Sequence, residues 1–190
     1  SGAQWRFPGH GDRGGGIHAV FWRHQSVGGV ARYVARCLPP IENGWQAHGI
    51  EINPFCVQWA REKLGLENIH EGDVGDCGFE PGQFDIITMW DVLEHIPDPF
   101  SVIQQMRPLL APDGKLIIET SHFDCFETDF LKSDNTNLTP DFHLMHFTRK
   151  SFEALAQRAG MRVVEQVSFG LDIAHILRFF RVEKGISADI

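Results

Sequence analysis

The run Phe84–Trp90 (FDIITMW) is the stretch that most limits what this chain can fold into. It has strand length and is nearly continuous in apolar residues, as expected for a strand buried on both faces in a parallel sheet. Parallel strands need crossover connections, usually helices, and the flanking sequence supplies them. Residues 45–51 (WQAHGIE) read as a short strand. Asn53 and Pro54 then offer an N-cap and a first helical residue for a helix carrying Phe55, Trp59, Ala60 and Leu64, with Gly65 placed to end it. Ile69–Glu71 reads as a brief strand leading into the turn Gly72-Asp73. Asp98-Pro99 opens a helix with Val102, Ile103 and Met106 on one side, ended or kinked by Pro108. Asp113-Gly114 turns into a strand at 116–120. Upstream, Val27, Val30, Ala31, Val34, Ala35 and Leu38 recur at helical spacing until Pro39-Pro40. Downstream, Thr148 caps a helix bearing Phe152, Leu155, Ala156 and Ala159, and 161–169 reads as a closing strand. Such alternation implies an α/β fold, a doubly wound, mostly parallel Rossmann-like sheet with helices on both faces.

At 190 residues the chain suits one domain, and 43% hydrophobic with 22% charged residues is ordinary globular usage, which excludes a disordered or fibrous protein. No apolar run approaches the roughly 18 residues of a membrane span, and no signal-peptide core is visible, so no membrane partner is expected. A net charge of −8 argues against a nucleic-acid groove and favours a small-molecule partner. The 4 cysteines include no Cys-x-x-Cys pair and read as reduced thiols of a cytoplasmic protein. Residues 1–26 stand apart, with three Arg, one acid, three His and the glycine-rich cluster from Gly9 to Gly16. Within them only 17–22 (IHAVFW) offers a strand. The main domain is read over 27–190. In it, 121–147 mixes acids with aromatics without periodicity and is a candidate lid over substrate.

In a doubly wound sheet, ligands bind outside the C-terminal strand ends near the switch point. That rule selects Glu51 after the second strand, Asp73 after the third, and Asp91, Glu94 and His95 after the fourth. Each has a structural alternative: Glu51 as a helix cap, Asp73 as a turn residue, Asp91 as an N-cap. In this order and spacing they favour a nucleotide-like ligand.

The stretch from Gly49 to Pro54 (GIEINP), then Glu71-Gly-Asp73, then the segment from Phe84 to Pro99 (FDIITMWDVLEHIPDP) resembles class I S-adenosylmethionine-dependent methyltransferases. LLAPDGKL (109–116) looks like the family's turn into its fifth strand. HLMHFTRKSFEALAQRAG (143–160) is similar to the small-molecule branch that includes ubiquinone-biosynthesis-like enzymes. The resemblance spans about 27–169 and implies S-adenosylmethionine as cofactor and methyl transfer to a small organic acceptor. It implies that Glu51 binds ribose hydroxyls with Ile52 against adenine, and that Asp73 accepts from the adenine amino group beside the Val74 backbone. It implies that Trp90, Asp91 and Val92 line the methionine side. His95, after the fourth strand, is the candidate base for a hydroxyl acceptor.

The family's first strand normally ends in an acid and a Gly-x-Gly turn, and here that motif is degenerate. Gly28 and Gly29 stand nearest to the place, with Glu51 23 positions after Gly28. Gly9, Gly11 and Gly14 match Gly-x-Gly-x-x-Gly but begin 42 positions before Glu51, against the about 20 expected. Two other readings stay open. A nicotinamide-dependent oxidoreductase would use the same second-strand acid but has no necessary role for Gly72-Asp73 or the 91–95 run. A non-catalytic methyltransferase-like domain with impaired cofactor binding would explain the degenerate motif. His143, His146 and Asp141 are fewer ligands than a secure zinc signature provides, so no metal is expected there. Either histidine could instead face substrate.

Overall fold

The computed structural model describes the backbone of residues 18–23 and residues 45–132, 135, 138 and 143–168. Strand β1 (His18–Arg23) is followed by β2 (Gln46–Glu51), helix α1 (Pro54–Leu64), β3 (Ile69–Glu71) and β4 (Phe84–Trp90). Then come α2 (Pro99–Met106), β5 (Leu110–Glu119), α3 (Phe126–Leu131) and α4 (Arg149–Arg158). Short 3-10 turns at Val74–Asp76, Leu93–His95 and Arg107–Leu109 link them.

Local chemistry sets the helix ends. Asn53 Oδ1 accepts the Phe55 N–H at 3.0 Å, and Pro54 sits at the first turn, where a missing N–H is harmless. Gly65, at φ 65°, closes α1 with its N–H on the Arg61 carbonyl at 3.2 Å. Asp98 Oδ1 accepts the Ser101 N–H at 3.1 Å to start α2. Thr148 and Ser151 exchange side-chain-to-backbone bonds at the start of α4, a capping box with serine in the usual place of the acid.

The strands form one 5-stranded sheet in the order β3-β2-β1-β4-β5, with every neighbour parallel. The chain winds outward from β1 through β2 to β3, then crosses to the other side of β1 for β4 and β5. This is the expected doubly wound α/β arrangement, with its switch point between β1 and β4. Residues 18–23, which lie inside the N-terminal segment, thus supply the central strand. Its register runs from His18↔Gln46 to Arg23↔Glu51 on one side and from Ala19↔Ile86 to Trp22↔Met89 on the other. The reason lies in the partners: β2 and β4 each present a row of backbone groups that must be paired once buried, and a six-residue strand serves both. The helix read over 27–38, together with Gly28 and Gly29, lies outside the described residues.

Ile50 pairs with His70 and Gly49 with Ile69, so the first couple lies on one face of the sheet and the second on the other. The Ile69 face is covered by Val57 and Ala60 of α1, with Leu66. The Ile50 face carries the larger core, in which Phe84, Ile87 and Met89 meet Val102, Ile103 and Met106 of α2 and, from the late chain, Phe147 and Ala159.

Two strand expectations need correction. β5 begins at Leu110, and Asp113-Gly114 lies inside it as an irregularity between the pairs Phe84↔Leu110 and Ile86↔Lys115. Glycine is required there because a Cβ at position 114 would come within 2.9 Å of the Phe84 carbonyl oxygen. Residues 161–168, read as part of a closing strand, form none, and Val164 and Val167 are 69% and 54% exposed. Valine content favours a strand only where a ladder and a face to bury await it. Within 121–147, α3 and a parallel bridge between His122 and Phe147 supply order that periodicity did not reveal.

On the Ile50 face, His48 Nδ1 lies 3.2 Å from His70 Nε2, and the stacked pair meets the edges of Phe79 and Phe84. Burial, then the Arg61 guanidinium, holds His70 below its usual pKa of 6.5. The unfolded chain therefore takes up this proton first as the pH falls, so the stability it contributes is intact above 6.5 and is lost below it. Urea midpoints at pH 7.5 and about 5.5 should show this loss, and His70→Gln should reduce it; an unchanged pH slope would remove His70 as its source. β4 leaves the sheet through Asp91, whose φ of 51° lies in the left-handed region while its N–H bonds the Glu119 carbonyl at 3.0 Å. Both Asp91→Gly and Asp91→Val delete the carboxylate, but only valine resists this backbone. The valine variant should unfold at lower urea, less stable by about 1–3 kcal/mol, whereas matching midpoints would mean the turn is unstrained.

Candidate functional site

The parallel register brings the C-terminal ends of the strands level. Arg23 pairs with Glu51, Glu51 with Glu71, and Trp90 with Glu119. Two further bonds tie the exits together: Gly72 N–H to the Glu51 carbonyl at 3.1 Å and Asp91 N–H to the Glu119 carbonyl at 3.0 Å. One edge of the sheet therefore carries a carboxylate at or just after the end of β2, β3, β4 and β5, flanking the switch point.

Glu51 is half-buried, and its Oε1 accepts the Asn53 N–H at 2.8 Å, which fixes the carboxylate at the strand exit. Asp73 is exposed and caps the Val74–Asp76 turn: its Oδ1 accepts the Val74 N–H at 2.6 Å while Asp76 Oδ2 accepts the Asp73 N–H at 3.2 Å. The thiol of Cys77 reports the local field. Burial, then the carboxylates of Asp76 and Asp73, pushes its pKa up to about 11, so it stays protonated and donates to the Asp73 carbonyl at 3.2 Å. A negative edge of this kind suits a ligand that presents hydroxyl and amino donors and a cationic centre.

On the β4 side, Trp90 and Asp91 are half-buried, as is Ile52 beside Glu51. Val92 and Val74 lie instead in the hydrophobic core, at 0% and 5% exposure, so only their backbones are left to meet a ligand. His95 ends the Leu93–His95 turn with its N–H on the Val92 carbonyl at 3.0 Å. Its imidazole meets that of His143 edge-on, with centroids 4.9 Å apart. Beside them stands Glu94, 1% exposed, whose Oε2 accepts the Thr120 hydroxyl at 2.8 Å. The Glu94 carbonyl accepts two more hydrogens, from Leu144 N–H at 2.9 Å and Met145 N–H at 3.1 Å.

These contacts gather residues that sequence spacing did not connect. Candidate ligand atoms of Glu94, His95 and His143 all lie within 4.8 Å of one another, a donor set of two imidazoles and a carboxylate that suits a divalent cation. The triplet weighed from sequence is not the one assembled: His146 faces Phe123 at 5.6 Å, and Asp141 lies outside the described residues. Nothing in the local sequence pairs position 143 with 95. The signal that could have found it is the pair His143 and His146 in a segment that follows β5 and returns to the turn after β4.

The family described as "Methyltransferase domain" matches residues 20–166, from within β1 to beyond α4. Among curated relatives, a ubiquinone biosynthesis O-methyltransferase of Haemophilus ducreyi is 53% identical over 94 residues, 50% of this chain and 37% of that protein. One of Xanthomonas euvesicatoria pv. vesicatoria is 36% identical over 86 residues, 40% of this chain and 34% of that protein. The matched stretch spans about a third of the length of these two relatives. Among solved structures, a SAM-dependent methyltransferase from Aquifex aeolicus aligns at TM-score 0.61 with 16% identity, covering 82% of this chain and 78% of that one. The YcgJ protein of Bacillus subtilis aligns at 0.59 with 18% identity, covering 92% and 73%. The [4+2]-cyclase SpnF shares the fold at 0.57 with 14% identity, covering 80% and 53%. With a family match running through the central sheet and both flanking helix layers, the chain belongs to the methyltransferase domain family, in its class I S-adenosylmethionine-dependent form.

Proposed function

We propose that this domain transfers a methyl group from S-adenosylmethionine to a hydroxyl oxygen of a small organic acceptor. The observation that carries the reading is the level row of carboxylates Glu51, Asp73 and Asp91 beside the β1–β4 switch point. The hydroxyl acceptor is favoured by the two relatives named as O-methyltransferases. The continuous family match through β1 gives no support to a domain with impaired cofactor binding. A nicotinamide oxidoreductase is set aside by that same match.

S-adenosylmethionine supplies an electrophilic methyl on a sulfonium sulfur. Glu51, held by the Asn53 N–H, accepts hydrogens from the two ribose hydroxyls, and Ile52 packs beside the base. Asp73 accepts from the adenine amino group, with the Val74 backbone next to it. Trp90, Asp91 and the Val92 backbone border the methionyl side, where a carboxylate and an aromatic face both favour a cation. Gly28 and Gly29, which follow β1 in sequence, are the residues we assign to the close approach of backbone to the methionyl group. His95 stands on the acceptor side and takes the hydroxyl proton as the oxygen attacks. Holding the oxygen in line with the methyl group supplies much of the rate.

The Glu94, His95 and His143 cluster favours a second reading of the acceptor side. A divalent cation held there would bind the acceptor oxygen and lower its pKa, so that His95 would serve as ligand and not as base.

Calorimetric titration of S-adenosylhomocysteine into the protein should show binding that Glu51→Ala weakens by about 10- to 100-fold, the loss expected for hydrogen bonds to a charged acceptor. A folded protein that ignores the ligand would overturn the proposal. Titration with Mn2+ followed by its EPR signal separates the two acceptor-side readings. If the cation is held, His143→Ala should weaken it about tenfold or more; if wild type leaves the signal unchanged, His95 stands as base.

A further inference from the structure

Residues 143–147 cross the exits of β4 and β5 and are tied down at both ends. At one end the Leu144 and Met145 N–H groups share the Glu94 carbonyl, at 2.9 and 3.1 Å. At the other, the Phe147 carbonyl accepts the Phe123 N–H at 2.8 Å, beside the bridge between His122 and Phe147. This strap carries His143 to His95, while its Leu144 and the neighbouring Phe123 are exposed at 54% and 40%. Its first tether depends on where Glu94 sits.

Glu94 has little freedom to hold that place by itself, because it belongs to a single 3-10 turn. Its side chain is 1% exposed, and a buried carboxylate costs free energy unless it is hydrogen-bonded. The bond comes from Thr120, the first residue past β5, whose hydroxyl donates to Oε2 at 2.8 Å. Because β5 is laddered to β4 up to Trp90↔Glu119, Thr120 is anchored to the sheet, and its hydroxyl carries that anchor into the turn.

We propose that Thr120 is a positioning residue for the acceptor side: through the Glu94 carboxylate it fixes the turn whose carbonyl holds the 143–147 strap, and so sets His143 against His95. The role of the strap as acceptor wall rests on the methyl-transfer reading; the clamp itself does not. Thr120 touches neither the acceptor nor the cofactor in this scheme and acts only through Glu94.

Amide hydrogen exchange on the full chain, read residue by residue by NMR, tests it. Thr120→Val keeps the side-chain shape and removes the donor. It should speed exchange at Leu144 and Met145 about tenfold, as loss of a bond to a charged acceptor implies. The Phe152 amide, bonded to the Thr148 carbonyl within α4, should be unchanged. The ring resonances of His95 and His143 should shift in the valine variant and return in Thr120→Ser, which restores the hydroxyl. Glu94→Gln, which keeps an acceptor for Thr120 but removes the charge, should speed exchange at the same two amides by less than Thr120→Val does, and supplies a second readout should the valine variant fail to fold. Unchanged exchange at 144 and 145 in Thr120→Val, equal acceleration at Phe152, or no recovery in Thr120→Ser would each overturn the proposal. S-adenosylhomocysteine binding, measured on the same samples, reports separately on the methyl-transfer reading, so failure of either leaves the other decided on its own evidence.

Discussion

The parallel pairing of β1 with both β2 and β4 is the constraint from which the rest of the architecture follows. A parallel ladder fixes direction as well as register, so every strand that joins it ends on the same edge. Because β1 is central, the chain must leave it to one side and later return to the other, and the connections then diverge to open a crevice. The carboxylates that end or follow β2 to β5 are separated by up to 68 positions in sequence, from Glu51 to Glu119, yet stand on one edge through this pairing alone. Remove β1 and β2 has no route of hydrogen bonds to β4; the ligand edge would split into two unrelated halves.

What could be read from sequence divides along the range of the forces involved. The start and end of α1 were legible because Asn53, Pro54 and Gly65 act on their own backbone neighbours. The same holds for Asp98 at α2 and for Thr148 with Ser151 at α4. β4 was legible because burial on both faces leaves a run with almost no polar residue. By contrast, IHAVFW carries no strong flanking turn signal, and what makes it a strand is the pair of unsatisfied edges it fills. The opposite error at 161–168 has the same origin, since a valine-rich stretch meets no ladder there and its Val164 and Val167 remain in water.

The site shows the same division. Glu51, Asp73 and Asp91 could be picked out because a topological rule converts strand ends into candidate ligand positions before any contact is known. The local roles were legible in part: Asp73 does cap a turn, and Glu51 accepts from the backbone N–H of Asn53, the residue that caps α1 in its stead, whereas the turn after Asp91 begins at Val92 with no side-chain cap. Structural and ligand roles are compatible at such positions, because a carboxylate that is held in place by one backbone donor is already oriented for a second partner. Val92 marks the limit of position-based reasoning. Its place in the chain puts it at the crevice, but its side chain turns into the core.

The side we propose for the acceptor is built by different means from the strand-end row of carboxylates. Strand ends are rigid and common to the fold, and a fold shared with a cyclase such as SpnF cannot by itself specify a reaction. The residues we assign to the acceptor side come from the turn after β4 and from a strap 48 positions later, where His95 and His143 meet edge-on. That separation lets one sheet accept many chemistries, because the strap can vary without disturbing the ladder. It also creates a demand: a segment outside the sheet must be registered against it to the accuracy that catalysis needs. Here the Glu94 carbonyl meets that demand with two backbone hydrogen bonds, which are indifferent to the side chains of Leu144 and Met145. In the proposed scheme the strap can therefore change its exposed side chains while its position stays coupled, through the Glu94 carboxylate and Thr120, to the β4–β5 ladder.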